Sequence, residues 1–171
     1  MTIVVIMGVT GSGKTTVGLA LARRFGWTLL DADDFHPEAN IAKMRAGVPL
    51  EDADRWSWLD ALNARLRECA ASGISAVLAC SALKQIYRAR IAAGLPQTRW
   101  VHLAGAYPVI EARLQARRGH YMAPSLLQSQ FDTLEPPDNA IVLDVATTPE
   151  ALADAIAARL ASTGTESPGA A

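Results

Sequence analysis

Gly8-Val9-Thr10-Gly11-Ser12-Gly13-Lys14-Thr15 decides the fold. It fits G-x-x-x-x-G-K-S/T without a mismatch, and it stands between a β-branched run, Ile3 to Met7, and a helical pattern, Thr15 to Phe25. Glycines let main-chain N–H groups turn inward without Cβ clashes and form an anion nest, to which the next helix adds its own amino-terminal amides. Lys14 supplies a mobile charge for the β- and γ-phosphates, Thr15 a hydroxyl for Mg²⁺, and Thr16 a further amide of the first turn. The motif predicts a bound nucleoside triphosphate with Mg²⁺ and is silent about what receives the phosphate.

Outward from this loop, short apolar runs alternate with helical stretches. Strands are expected at Ile3–Met7, Thr28–Leu30, Ser75–Cys80, Arg99–Leu103 and Ala140–Asp144. Helices are expected at Thr15–Phe25, Asp54–Ser72, Ala82–Ala93, Pro108–Arg118 and Pro124–Leu134, and a last one capped by Thr148. Such alternation predicts an α/β fold, a five-stranded parallel sheet flanked by helices, with ligands beyond the carboxyl ends of the strands. The 171 residues suffice for one domain, expected over 1–162, with a frayed tail at 163–171.

Composition narrows the function. Sixteen basic residues face seventeen acidic ones, so no broad positive field points to nucleic acid or an anionic membrane. No apolar run is long enough to span a bilayer, and the amino terminus does not read as a signal peptide. Cys69 and Cys80 form neither a zinc pair nor a disulfide framework, which suits buried thiols in a reducing, cytoplasmic setting. The Asn-Lys-x-Asp and Asp-x-x-Gly strings of a guanine-nucleotide switch are absent. The third strand ends in Cys80-Ser81 rather than in the Asp of a motor or helicase. A small phosphotransferase is the simplest reading, ahead of a non-enzymatic ATP-dependent switch.

The acceptor side starts where the second strand ends in Asp31-Ala32-Asp33-Asp34-Phe35-His36-Pro37. A carboxylate here can orient an acceptor hydroxyl and take its proton, or hold waters on Mg²⁺. In an extended segment Asp31 and Asp33 point the same way, and Asp33, further out, is the chosen base. Thirteen arginines against three lysines (Lys14, Lys43, Lys84) suggest that a compact charge is wanted at Lys43, unless it is simply solvated. Arg55 either forks onto a substrate carboxylate or pairs with Asp52 or Asp54. Ser81 is either a helix N-cap or a substrate contact. Lys84 and Arg88, at i and i+4, either hold an anion between them or splay into solvent. Arg113, Arg117 and Arg118 run into Gly119-His120, a short lid over 113–124, from which Arg113 and Arg117 would neutralise the phosphates. His102 and the tryptophans 27, 56 and 100 read as packing groups.

His36-Pro37-Glu38-Ala39-Asn40-Ile41-Ala42-Lys43-Met44, Gly47-Val48-Pro49-Leu50, Asp52-Ala53-Asp54-Arg55, Trp58-Leu59, Cys80-Ser81-Ala82-Leu83-Lys84 with Tyr87-Arg88, Ala116-Arg117-Arg118-Gly119-His120 and Gln130-Phe131-Asp132-Thr133-Leu134-Glu135 together resemble the gluconate kinases of the thermoresistant type. The resemblance runs from Ile3 to Asp144. It implies a nucleoside-monophosphate-kinase-like fold, ATP-dependent phosphorylation of D-gluconate at its 6-hydroxyl, Mg²⁺ dependence and a homodimer. Related acceptors (shikimate, adenylylsulfate, a nucleotide) are the alternative. The acceptor-binding segment is expected at about 34–72. Its candidate contacts, with those beyond it, are Asp31, Asp33, His36, Lys43, Arg55, Ser81, Lys84, Arg88 and His120. Ala32 departs from the family, where Gly is expected; Ala fits most backbone conformations but not φ > 0.

Overall fold

The computed structural model describes residues 1–116 and 124–162. In chain order the elements are β1 (Ile3–Met7), α1 (Lys14–Phe25), β2 (Thr28–Asp31), a 3₁₀ turn (Ala32–Phe35), α2 (Glu38–Arg45), α3 (Asp52–Ala71), β3 (Ala76–Ala79), α4 (Gln85–Ile91), β4 (Arg99–Ala104), α5 (Tyr107–Ala116), α6 (Pro124–Thr133), β5 (Ala140–Asp144) and α7 (Pro149–Ser162). The strands form one parallel sheet in the order β2-β3-β1-β4-β5.

All five residues of β1 are buried, as a central strand covered on both faces requires. Alternation then sorts them. Val4 and Ile6 enter a core built with Val17 and Leu21 of α1, Ile110 of α5 and Ile156 of α7. Ile3, Val5 and Met7 enter the opposite core, built with Leu59, Leu62 and Leu66 of α3 and Ile91 of α4. Each of these side chains contributes about 1.5–3 kcal/mol by leaving water. The two layers of helices therefore clamp β1 and fix the loop that leaves its carboxyl end.

Three local differences from the sequence reading matter for function. First, Asp31 is followed by a 3₁₀ turn rather than extended chain, because its side chain accepts the Asp33 N–H at 3.1 Å and caps that turn. Ala32 opens the turn buried and without positive φ, so Ala is accommodated there. Second, α2 occupies a stretch with no apolar periodicity. Only Asn40 of α2 is buried, and the helix is held by tertiary bonds: Asn40 Nδ2 donates to the Asp54 carbonyl at 2.8 Å and Lys43 pairs with Asp54 at 2.6 Å. Third, α4 starts at Gln85 instead of Ala82. Ala82 takes φ 44°, the left-handed region, and Lys84 is extended, so Ser81 caps no helix. The expected helix over Pro108–Arg118 is seen as far as Ala116; Arg117, Arg118, Gly119, His120 and the tail from 163 lie outside the described residues.

Candidate active site

At the carboxyl end of β1 the loop turns through three glycines of positive φ, Gly8, Gly11 and Gly13. Gly13, at φ 94°, is the N-cap of α1, a conformation that lets the loop amides face inward. Gly11, at φ 82°, has no room for a side chain, since a Cβ would lie 2.8 Å from Leu114 Cγ. Val9 is buried; its carbonyl accepts the Lys14 ammonium at 3.0 Å and the Ser12 N–H at 3.2 Å. Ser12 is fully buried and its hydroxyl has no hydrogen-bond partner among the described residues. Gly8 N–H donates to the Ser81 carbonyl at 3.3 Å, which stitches the loop to the end of β3.

One cavity of about 450 Å³ lies over this loop. Thr10, Gly11, Gly13, Lys14 and Thr15 form one wall, and Asp31, Asp33, His36, Arg55 and Ser81 line it from the acceptor side. Two hollows of about 680 and 540 Å³ are larger, but they open where β1, β4 and β5 begin. A parallel sheet binds its ligands at the other end, where loop amides and helix amino termini converge. The smaller cavity is therefore the candidate site.

β3 separates β2 from β1, yet the two walls touch. The Thr15 hydroxyl donates to Asp31 Oδ2 at 2.8 Å. Asp33 does not point along with Asp31 by strand alternation, because the 3₁₀ turn intervenes, but both acids face the same cavity. His36 stacks on Trp58 with ring centroids 4.3 Å apart and planes 12° apart. Its Nδ1 is buried and has no partner among the described residues, and burial is the main cause that lowers its pKa, against a smaller upward pull from Asp33. Trp58 is fixed in turn by its Nε1, which donates to the Ala32 carbonyl at 2.7 Å. Burial pushes the Cys80 thiol, beside the cavity, up to about 12, so it is no nucleophile at neutral pH.

Arg55 keeps its place on the cavity because other cations take its expected partners. Lys84 binds Asp52 at 2.8 Å and Lys43 binds Asp54 at 2.6 Å; these bonds hold both carboxyls below their ordinary pKa and raise that of Lys84. The Asp52 carboxylate also accepts the Tyr87 hydroxyl. Arg55 donates to the Leu50 carbonyl at 3.3 Å and lies 5.6 Å from the Tyr87 ring centroid.

Several sequence candidates are placed elsewhere. Lys43 and Lys84 are spent on the ion pairs that fasten α2 and the start of α4 to α3, and neither lines the cavity. Lys84 and Arg88 do not share a helix face, because Lys84 precedes α4. Arg88 is 5% exposed and donates to the Ala82 and Leu83 carbonyls, each at 3.0 Å, and to Gln85. It supports the loop after β3, and burial lowers its pKa. Arg113 donates to the Val145 carbonyl beyond β5 and does not line the cavity. Thr16 is exposed in the first turn of α1, off the cavity wall. Arg117 and His120 lie outside the described residues. His102 is buried in β4, with its pKa lowered chiefly by burial, as a packing residue should be.

Sequence reasoning missed Gln130. Its Oε1 accepts the Thr10 N–H at 2.7 Å and its Nε2 donates to Thr10 Oγ1 at 3.0 Å. A contact across 120 residues leaves no periodic trace; Gln130 stood out only as part of the family string.

Comparison with known proteins agrees with this geometry. A family model described as an AAA domain matches residues 3–137. A probable gluconokinase of Rattus norvegicus is 48% identical over 153 residues, 79% of this chain and 83% of that protein. The thermoresistant gluconokinase of Escherichia coli K12 is 40% identical over 147 residues, 84% of each chain. The crystal structure of a gluconokinase from Sinorhizobium meliloti 1021 superposes with a TM-score of 0.85 at 41% identity, covering 95% of this chain and 94% of that one. The chain belongs to the gluconokinase family of phosphate-loop kinases.

Proposed function

We propose that the protein transfers the γ-phosphate of ATP to the 6-hydroxyl of D-gluconate, giving 6-phosphogluconate and ADP. One observation carries the reading: the phosphate loop and the side chains Asp31, Asp33, His36 and Arg55 line a single cavity. A triphosphate and a short polyol acid can meet there end to end.

Lys14 leaves the Val9 carbonyl and follows the β- and γ-phosphates. The loop amides and the amino end of α1 cradle the remaining charge. Asp33 accepts the proton of the attacking hydroxyl. Arg55 forks onto the carboxylate of the sugar acid, and Ser81 and His36 face its hydroxyls. Thr15 and Asp31 fit a bound Mg²⁺, because the hydroxyl and carboxylate oxygens, 2.8 Å apart, are the hard donors that ion takes alongside phosphates and water. Such an ion would supply charge neutralisation on the β- and γ-oxygens. Arg117 adds a cation at the phosphates, and a homodimer in the cytoplasm completes the reading. No helix among the described residues is long and apolar enough to cross a membrane.

An acceptor panel tests the proposal. ADP release is measured with gluconate, shikimate, adenylylsulfate and nucleoside monophosphates. Gluconate is expected to exceed every other acceptor by at least about 100-fold in kcat/KM, a difference of about 2.7 kcal/mol in transition-state binding. Turnover on another acceptor with none on gluconate would reassign the substrate.

A further inference from the structure

The Gln130–Thr10 pair carries an inference beyond this reading. A side-chain amide has one accepting end and one donating end. The Thr10 N–H can only donate, so Oε1 must face it, and it does at 2.7 Å. Nε2 is thereby turned onto Thr10 Oγ1, at 3.0 Å. That nitrogen only donates, so the hydroxyl must accept from it and send its own proton elsewhere. Among the described residues the hydroxyl donates to no acceptor, and Thr10 and Gln130 both line the cavity beside Lys14 and Asp33.

The clamp is held from behind. Leu127, on the same helix, is buried in the core. Just past the helix, the Glu135 N–H donates to the Leu83 carbonyl at 2.9 Å, and its carboxylate accepts the Gln85 N–H. Gln130 therefore projects from a helix anchored in the core at Leu127 and tied down just past its end at Glu135, which is what lets a hydrogen bond aim another group.

We propose that Gln130 is a positioning residue that makes the Thr10 hydroxyl a donor to the terminal phosphate of the bound nucleotide. The inference rests on the triphosphate reading of this loop and not on the identity of the acceptor. As charge spreads over the equatorial oxygens in the transition state, a donor already aimed costs no reorganisation.

The test compares binding of ADP with that of a non-hydrolysable ATP analogue, together with kcat, for Gln130→Ala, Thr10→Val, the double variant and Thr10→Ser. Both single variants are expected to bind ADP within about twofold of the parent, to bind the triphosphate analogue about 10-fold more weakly, and to lose about 10- to 100-fold in kcat. The double variant should be no worse than the weaker single one, because both remove the same interaction. Thr10→Ser, which keeps the hydroxyl, should recover most of the activity. Equal weakening toward ADP and the triphosphate, multiplicative losses in the double variant, or unchanged kcat in Thr10→Val would overturn the proposal. Thr10→Val leaves the N–H bond of the clamp intact, so it decides the matter even if Gln130→Ala proves unstable. The nucleotide-binding outcomes do not depend on gluconate being the acceptor, and kcat is read with whichever acceptor the panel identifies.

Discussion

Asp33→Asn is expected to lower kcat by about 10²- to 10⁴-fold, the range for loss of a general base. ATP affinity should stay within about twofold, because the loss is confined to the chemical step. The substitution is isosteric, and the turn around it should survive. What ties position 33 to Asp31 is its main-chain N–H, at 3.1 Å, and not its carboxylate. Removing a negative charge near a polyanion also gives no reason for weaker nucleotide binding. Asp31 cannot readily take over, since one of its oxygens accepts the Thr15 hydroxyl and the other accepts the Asp33 N–H. Steady-state kinetics and nucleotide titration of the same preparation check the result. A kcat near the parent value would move the proton acceptor away from Asp33.

Arg88→Met should act on stability. The substitution fills most of the volume but leaves the Ala82 carbonyl without its donor and the Leu83 carbonyl with the Glu135 N–H alone, in a loop whose residues 82 and 83 are buried. Stranding a buried carbonyl costs about 1–3 kcal/mol. Part of the left-handed strain at Ala82 also goes uncompensated. A loss of about 3 kcal/mol lowers Tm by about 6–12 °C in a domain of this size. Lysine does not rescue, because one ammonium cannot reproduce the fork to two carbonyls and Gln85. Differential scanning calorimetry checks this; an unchanged Tm would show that the loop after β3 holds itself. Gluconate KM should rise too, since Ser81 borders that loop and faces the cavity.

These two residues mark the limits of what the amino-acid string discloses. The phosphate loop was legible because its chemistry is local: glycines, a lysine and a threonine at fixed spacing, with a buried strand before and a helix after. The place of Asp33 on the cavity was legible because a carboxylate at a strand's carboxyl end must face the ligand side of a parallel sheet. The strand-alternation argument for it failed all the same, since the Asp31 side chain turns the chain at once into a 3₁₀ helix. Arg88 was misplaced because i, i+4 spacing presumes a helix through Lys84, and the Arg88 guanidinium itself holds the preceding loop out of helical form. Lys43 and Lys84 looked like substrate cations because nothing in their own segments names their partners. Asp54 and Asp52 reach them from α3, 11 and 32 residues away, and in doing so leave Arg55 for the cavity. Helix α2 was invisible for a similar reason, its support being tertiary rather than periodic.

The most direct test looks at where the phosphate lands. Protein, Mg²⁺, ATP and D-gluconate are incubated together and the product is followed by ³¹P spectroscopy with proton coupling. A phosphomonoester coupled to the two methylene protons of carbon 6, appearing in step with ADP, is the predicted result. ADP that accumulates at the same rate without gluconate, or a phosphate attached at any other carbon, would contradict the account.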